Sequence, residues 1–260
     1  MLHSIKKGTG KNTIIFIHGN SQSSLVWEDF FEIEQLNKNY NLIAVDLPGH
    51  GQSYRSTKPE EDYSLKGLAN HFLNFAKQFE DKPYVLVGNS LGSNVISEIA
   101  TQLKNCMGIL ITGSCVIGKG LKVQDILLPN PDASYGFIPN PTDEQINLMI
   151  EACGQYSNDN KSLIKKEFTN TDSNLRLCIG KSIIENNFSD EIQNLVDSKI
   201  PLAFVFGNDE KICNINYLDN IELNKWKSKV HLIENSGHFS HLDQPQKLAQ
   251  IIDDFAKDCF

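Results

Sequence analysis

Arginine is nearly missing from this chain of 260 residues; only Arg55 and Arg176 occur. The formal net charge is −8, and no basic cluster replaces the missing guanidinium groups. A protein that grips phosphate backbones or anionic lipid heads needs a positive patch. Neither nucleic acid nor membrane is therefore an expected partner. Cys-x-x-Cys is absent as well. Six cysteines stand at positions 106, 115, 153, 178, 213 and 259, without the spacing of a zinc ribbon or a thioredoxin-like motif. They read as reduced, mostly buried thiols of a cytoplasmic protein. Long apolar runs are missing too. Between Met1 and Ile17 the one such run is Ile14 to Ile17, too short for a signal-peptide core or a membrane span. There is no internal repeat and no low-complexity tract. At 40% hydrophobic and 22% charged residues, the composition is that of an ordinary globular protein. The length suits one large α/β domain or a core with an insertion.

What the chain does have is an alternation of strands and helices. Thr13 to Ile17 and Leu42 to Val45 read as strands buried on both faces. Between them Leu25, Trp27, Phe30, Phe31, Ile33 and Leu36 predict a helix. Ser64 caps another, whose stripe is Leu65, Leu68, Ala69, Phe72, Leu73, Ala76 and Phe79. Tyr84 to Val87 is a third strand, a helix from Ser93 to about Leu103 follows, and Met107 to Thr112 is a fourth strand. This order predicts an α/β fold: a mostly parallel, twisted sheet with helices on both faces. From Ser114 to about Lys199 no buried strand is legible. Pro129-Asn130-Pro131 and Pro139-Asn140-Pro141 punctuate helices near 142–153, 161–168 and 173–187. The pattern resumes with strands at Pro201–Phe206 and Lys229–Ile233 and a helix near 246–257. Residues 1–113 and 199–260 are thus expected to form one core, interrupted by a helical insertion at 114–198.

Chemistry gathers at Gly88-Asn89-Ser90-Leu91-Gly92, between a predicted strand and a predicted helix. A turn this tight strains the apex residue and needs small neighbours, which Gly88 and Gly92 supply. It would hold the Ser90 hydroxyl above the C-terminal edge of the sheet. The Leu91 N–H, unpaired in the first turn of a helix, would point at the same spot. The stretch has neither dinucleotide-binding nor phosphate-loop spacing, and no metal or organic cofactor is implied. A serine hydroxyl needs a base within reach, and the base needs a group that fixes its tautomer. His238, after a strand and a glycine-containing loop, is the candidate base. Asp209 and Glu210, in the turn after the Pro201–Phe206 strand, compete for the third role. His18 and His50 sit in glycine-rich turns and read as hydrogen-bonding braces.

The order Ser90, Asp209 or Glu210, His238 resembles the α/β-hydrolase fold. His18-Gly19 is similar to that family's oxyanion loop. Asp46-Leu47-Pro48-Gly49-His50-Gly51-Gln52-Ser53 resembles its D-x-x-G-x-G-x-S loop, and Ser236-Gly237-His238-Phe239 its histidine loop. The resemblance implies a Ser-His-acid hydrolase with a helical cap at 114–198. Ser90 would be the nucleophile, His238 the base, and the N–H groups of Asn20 and Leu91 the oxyanion hole, with the Asn20 side chain as a further donor. Glu210 occupies the family's usual acid position, three residues after Gly207, and Asp209 is the alternative acid. A short N-terminus predicts the loss of one edge strand. With Ser at position 90, the carboxylate-nucleophile chemistry of dehalogenases and epoxide hydrolases is not expected.

Specificity should lie under the insertion. Leu127, Leu128, Tyr135, Phe137, Ile138, Met149 and Ile150 are the candidate pocket residues. The expected partner is a small-molecule substrate, a small to medium, largely apolar ester. Two alternatives stay open: a carbon–carbon bond hydrolase of the same fold, suggested by the Asn-Ser elbow, and a ligand receptor that retains the triad.

Overall fold

β-branched and apolar runs build the sheet, as their burial requires. In the computed structural model, which describes residues 1–260, seven strands form one sheet: β1 (Ser4–Lys7), β2 (Asn12–Ile17), β3 (Tyr40–Val45), β4 (Tyr84–Asn89), β5 (Cys106–Thr112), β6 (Leu202–Gly207) and β7 (His231–Ile233). Their spatial order is β1-β3-β2-β4-β5-β6-β7. β1 pairs antiparallel with β3, and every other pairing is parallel. The helices are α1 (Glu34–Asn39), α2 (Pro59–Asp62), α3 (Leu65–Ala76), α4 (Leu91–Ile99), α5 (Val123–Ile126), α6 (Asp143–Cys153), α7 (Asn158–Asn170), α8 (Ser173–Ile184), α9 (Glu191–Ser198), α10 (Ser240–Asp243) and α11 (Pro245–Cys259).

Parallel strands covered on both faces are apolar throughout, and β4 and β6 are buried at every position. Their side chains alternate between two cores. Along β2, Ile15 and Ile17 enter the layer under α3 and α4, with Leu68, Phe72 and Val95. Ile14 and Phe16 enter the opposite layer, with Trp27, Phe31 and the α11 residues Leu248, Ile252 and Phe255.

The helix expected across Leu25 to Leu36 is instead two 3-10 turns, Ser24–Trp27 and Phe30–Glu32, followed by α1. Phe16 is the reason in packing terms. Trp27, Phe30 and Phe31 surround its ring at 5.0, 5.8 and 5.1 Å. The backbone starts this path at a fixed point, because Asp46 Oδ1 accepts from the Ser24 N–H. The elbow helix ends earlier than expected, at Ile99, and continues as a 3-10 turn to Gln102.

No strand forms between β5 and β6; five helices do. Thr142 and Gln145 begin α6 with a reciprocal capping box, Thr142 Oγ1 accepting from the Gln145 N–H and Gln145 Oε1 from the Thr142 N–H. The expected segment 114–198 is not one layer. α9 packs beside α4 on the sheet, where Glu191 accepts from Asn94 Nδ2 at 2.8 Å. α5 to α8 are the part that covers the strand ends. No helix is long and apolar enough to cross a membrane.

Candidate active site

Parallel strands carry their loops to one edge, so residues far apart in sequence meet there. Ser90 follows β4 at φ 49° and ψ −116°, a backbone conformation that costs about 1–3 kcal/mol outside glycine. The neighbouring glycines are steric necessities. A Cβ on Gly92 would lie 2.5 Å from the Ile17 carbonyl oxygen, and one on Gly88 would lie 2.8 Å from the Gly92 carbonyl oxygen. The Leu91 N–H opens α4 and has no intrahelical acceptor. The Asn20 N–H, from the turn after β2, donates to no protein atom.

His238 follows β7 and is 3% exposed. Its backbone N–H donates to the Cys153 carbonyl, and Asn89 Nδ2 donates to its carbonyl. Its Nδ1–H donates to Glu210 Oε2 at 2.8 Å. This bond leaves Nε2 as the nitrogen free to accept a proton. Burial disfavours a charged imidazole, but the Glu210 carboxylate outweighs it and lifts the His238 pKa above its ordinary value. Glu210 is held in turn by the N–H groups of Ile212 and Cys213, at 2.7 and 3.3 Å from Oε1. Burial raises its pKa less than His238 and these donors lower it, so the carboxyl stays below its ordinary range. Asp209 is exposed and joins the site only through its backbone, its N–H donating to the Ser236 carbonyl.

Ser90 Oγ makes no hydrogen bond to His238; it lies 4.0 Å from Cys115 Sγ. Ser90, Leu91, Asn20 and His238 nevertheless line the same cavity, of about 280 Å³. Of its 27 lining residues 18 are hydrophobic and none is a Lys, Arg, Asp or Glu. Leu127, Leu128, Phe137 and Met149 are among them. Tyr135, Ile138 and Ile150 are not. Tyr135 and Ile150 pack with Ile146 and Tyr156 in a small cluster whose other buried members, Met149, Cys153, Ile164, Phe168 and Phe239, also line the cavity, and the Ile138 carbonyl is taken by Arg176. The Asn20 side chain also reaches the insertion: its Nδ2 donates to the Gly136 carbonyl at 2.9 Å, which ties the turn after β2 to the segment over the cavity.

Sequence reading named Met149 in the roof but missed the other helix residues. Met149 and Cys153, Ile164 and Phe168, and Ile179 and Ile183 line the cavity from α6, α7 and α8. Each is an i, i+4 pair, the spacing that puts two side chains on one helix face. That repeated spacing was the available signal. Cys115 was missed as well. It follows β5, lines the cavity, and lies 3.2 Å, sulfur to sulfur, from Cys213.

The loops around the site are braced by the two glycine-flanked histidines. His18 Nε2 accepts from the Leu47 N–H and His50 Nε2 from the Ser21 N–H. Asp46 Oδ2 accepts from the Gln52 N–H at 2.8 Å and from His3 Nδ1 at the same distance.

A family model described as the alpha/beta hydrolase family matches residues 14–251. The chain belongs to that family. Among its curated relatives, the monoacylglycerol lipase ABHD6 of Rattus norvegicus is 24% identical over 260 residues, covering 94% of this chain and 75% of the relative. The monoacylglycerol lipase ABHD6 of Homo sapiens is 25% identical over 270 residues, with the same coverage. Among solved alpha/beta structures, a serine-to-glycine variant of the N-acyl homoserine lactonase AidH complexed with N-hexanoyl homoserine lactone gives a TM-score of 0.90 at 22% identity. The match covers 99% of this chain and 94% of that one. MenH from S. aureus gives 0.75 at 17% identity, covering 99% of each chain.

Proposed function

We propose that this alpha/beta hydrolase cleaves small to medium, uncharged acyl esters through a Ser90 acyl-enzyme. The carrying observation is one cavity that holds a strained Ser90 and a His238 whose Nδ1 is fixed by Glu210 at 2.8 Å. Ser90 Oγ attacks the ester carbonyl and its proton passes to His238 Nε2. Glu210 steadies the imidazolium, and the N–H groups of Asn20 and Leu91 receive the oxyanion. Removing one such donor typically costs about 3 kcal/mol of transition-state stabilisation. The alcohol leaves with the proton from His238, and water then releases the acid by the reverse sequence. Substrate binding brings Ser90 Oγ to the imidazole, since nucleophile–base contacts are often long in ligand-free sites.

Wall chemistry supports the substrate class. Apolar residues receive an acyl chain, and Asn20, Ser21, Gln22 and Asn130 offer neutral polar contacts to a head group. A charged substrate finds no lysine, arginine or carboxylate in the wall. A monoacylglycerol and an N-acyl homoserine lactone, the molecules named for its relatives and structural neighbours, each join an acyl chain to a small uncharged head. At about 280 Å³ the cavity lies just below the range of roughly 300–1,000 Å³ for ligand sites, which favours shorter chains. In this reading α5 to α8 act as the cap.

A p-nitrophenyl ester series from acetate to long acyl chains, with a monoacylglycerol and N-hexanoyl homoserine lactone beside it, tests the proposal. Turnover that peaks at short to medium chains and vanishes in Ser90→Ala supports it. Stoichiometric binding without turnover would instead identify a receptor, and inertness toward every ester would favour carbon–carbon bond hydrolysis.

A further inference from the structure

We propose that Cys115 and Cys213 form a peroxide-responsive dithiol at the floor of the cavity, closing to a disulfide that lowers turnover. The two cysteines belong to different loops, one after β5 and one after β6. Their sulfurs lie 3.2 Å apart, and nothing separates them. Their accessibilities differ in the way such a pair requires. Cys115 lines the cavity with its sulfur 4.0 Å from Ser90 Oγ, whereas Cys213 is fully buried and does not line it. An oxidant entering the cavity therefore meets Cys115 first, and Cys213 waits behind it as the resolving thiol.

The local environment also favours Cys115 as the attacking sulfur. The Cys213 thiol beside it favours a thiolate, burial opposes this, and the neighbouring His238 adds to the lowering, so its pKa falls below the ordinary value. Cys153 provides an internal contrast. It lines the same cavity, but its sulfur neighbour is Met149 Sδ at 3.8 Å, and burial pushes its thiol up.

The chemistry balances with a hydroperoxide as oxidant. The Cys115 thiolate attacks the distal peroxide oxygen and the O–O bond breaks. This leaves a sulfenic acid and an alkoxide, or hydroxide from hydrogen peroxide, which takes up the proton that Cys115 released. Cys213 sulfur then attacks the Cys115 sulfur. The S–S bond forms, and the hydroxyl leaves as water with the Cys213 proton. Two thiols lose two electrons in all, and the peroxide gains them.

A disulfide bond is about 2.05 Å long, so closure draws the sulfurs together by on the order of 1 Å. Any backbone shift at Cys213 is passed to Glu210, because the Cys213 N–H and that of Ile212 hold Glu210 Oε1. A shift of about 1 Å in catalytic groups can cost roughly 10²-fold in rate. The expected effect on ester turnover is a loss of about tenfold to a hundredfold, restored by a dithiol reductant. This effect on rate rests on the proposed roles of Ser90, His238 and Glu210; the covalent link does not.

The test is hydrogen peroxide treatment of the full chain, quenching with an alkylating agent, and peptide mass spectrometry, with esterase assays on the same samples. The expected result is a linked Cys115–Cys213 peptide pair, alkylated Cys153, and activity that dithiothreitol restores. Cys213→Ser should stop at a Cys115 sulfenic acid that dimedone traps. Recovery of both cysteines in alkylated form from peroxide-treated wild type would overturn the dithiol. A linked pair with undiminished turnover would overturn its effect on catalysis. Both readouts come from wild type, so they stand even where the serine variant fails to fold.

Discussion

Ser90, Glu210 and His238 hang from loops at the ends of β4, β6 and β7, whereas Met149, Ile164 and Ile179 hang from helices laid over those ends. The floor is set by backbone demands at single residues. Ser90 needs its positive φ, Gly92 has no room for a Cβ, and Glu210 is oriented by two N–H groups. The roof is set by apolar area and a few ties. Arg176, 4% exposed, donates to the Ile138, Pro139 and Phe168 carbonyls, and Asn20 Nδ2 reaches the Gly136 carbonyl. Floor residues can be replaced by few others; roof residues tolerate apolar exchange. Floor changes should therefore act on kcat, and roof changes on KM and chain-length preference.

The largest expected effect breaks the floor. Ser90→Ala should lower kcat by roughly 10⁴- to 10⁶-fold in a p-nitrophenyl ester assay. Glu210→Gln should lower it by roughly 10⁴-fold, because the amide no longer holds the imidazole in the required tautomer. Asp209→Asn should change it little, since that side chain is exposed; the reverse pair of results would move the acid to Asp209.

Acidity gives an intermediate effect. In the proposed mechanism His238 must be neutral to accept the serine proton, and its pKa is raised. Activity should fall as pH falls through that raised value, so the acid limb of kcat/KM should lie above pH 6.5, the ordinary histidine value. A limb below pH 6.5 would show that Glu210 does not dominate the imidazole.

Arg176→Met separates roof from floor. It leaves three carbonyls short of a donor, at about 1–3 kcal/mol for each group left unsatisfied. The melting temperature should drop by several degrees and KM should rise more than kcat falls. Ile183→Ala should have the smallest effect. It widens the cavity at one member of an i, i+4 pair and should shift the best ester toward a longer chain.

The floor was legible in the sequence for the same reason that it is rigid. Tight turns demand glycine, so Gly88, Gly92, Gly49, Gly51 and Gly237 mark the loops that carry Ser90, Asp46 and His238. The resemblance already favoured Glu210 by its place after Gly207; that its carboxylate faces His238 while Asp209 is exposed is visible only in three dimensions. The roof was harder to read. Its helices were visible as periodic stretches, but which face meets the cavity depends on packing between distant segments. Tyr135 shows this: it lies beside Gly136 and Phe137, which line the cavity, yet it packs into the small core of the insertion. The contact between Cys115 and Cys213 spans 98 positions and carries no local signal at all.

The most direct test of Ser90 as nucleophile is to trap the acyl-enzyme. Wild type would be acid-quenched during turnover of a medium-chain p-nitrophenyl ester, digested, and mapped by mass spectrometry. The predicted result is one acyl group on the peptide that contains Ser90, absent from Ser90→Ala. An acyl group on Cys115 instead, with Ser90→Ala still active, would contradict the assignment of Ser90.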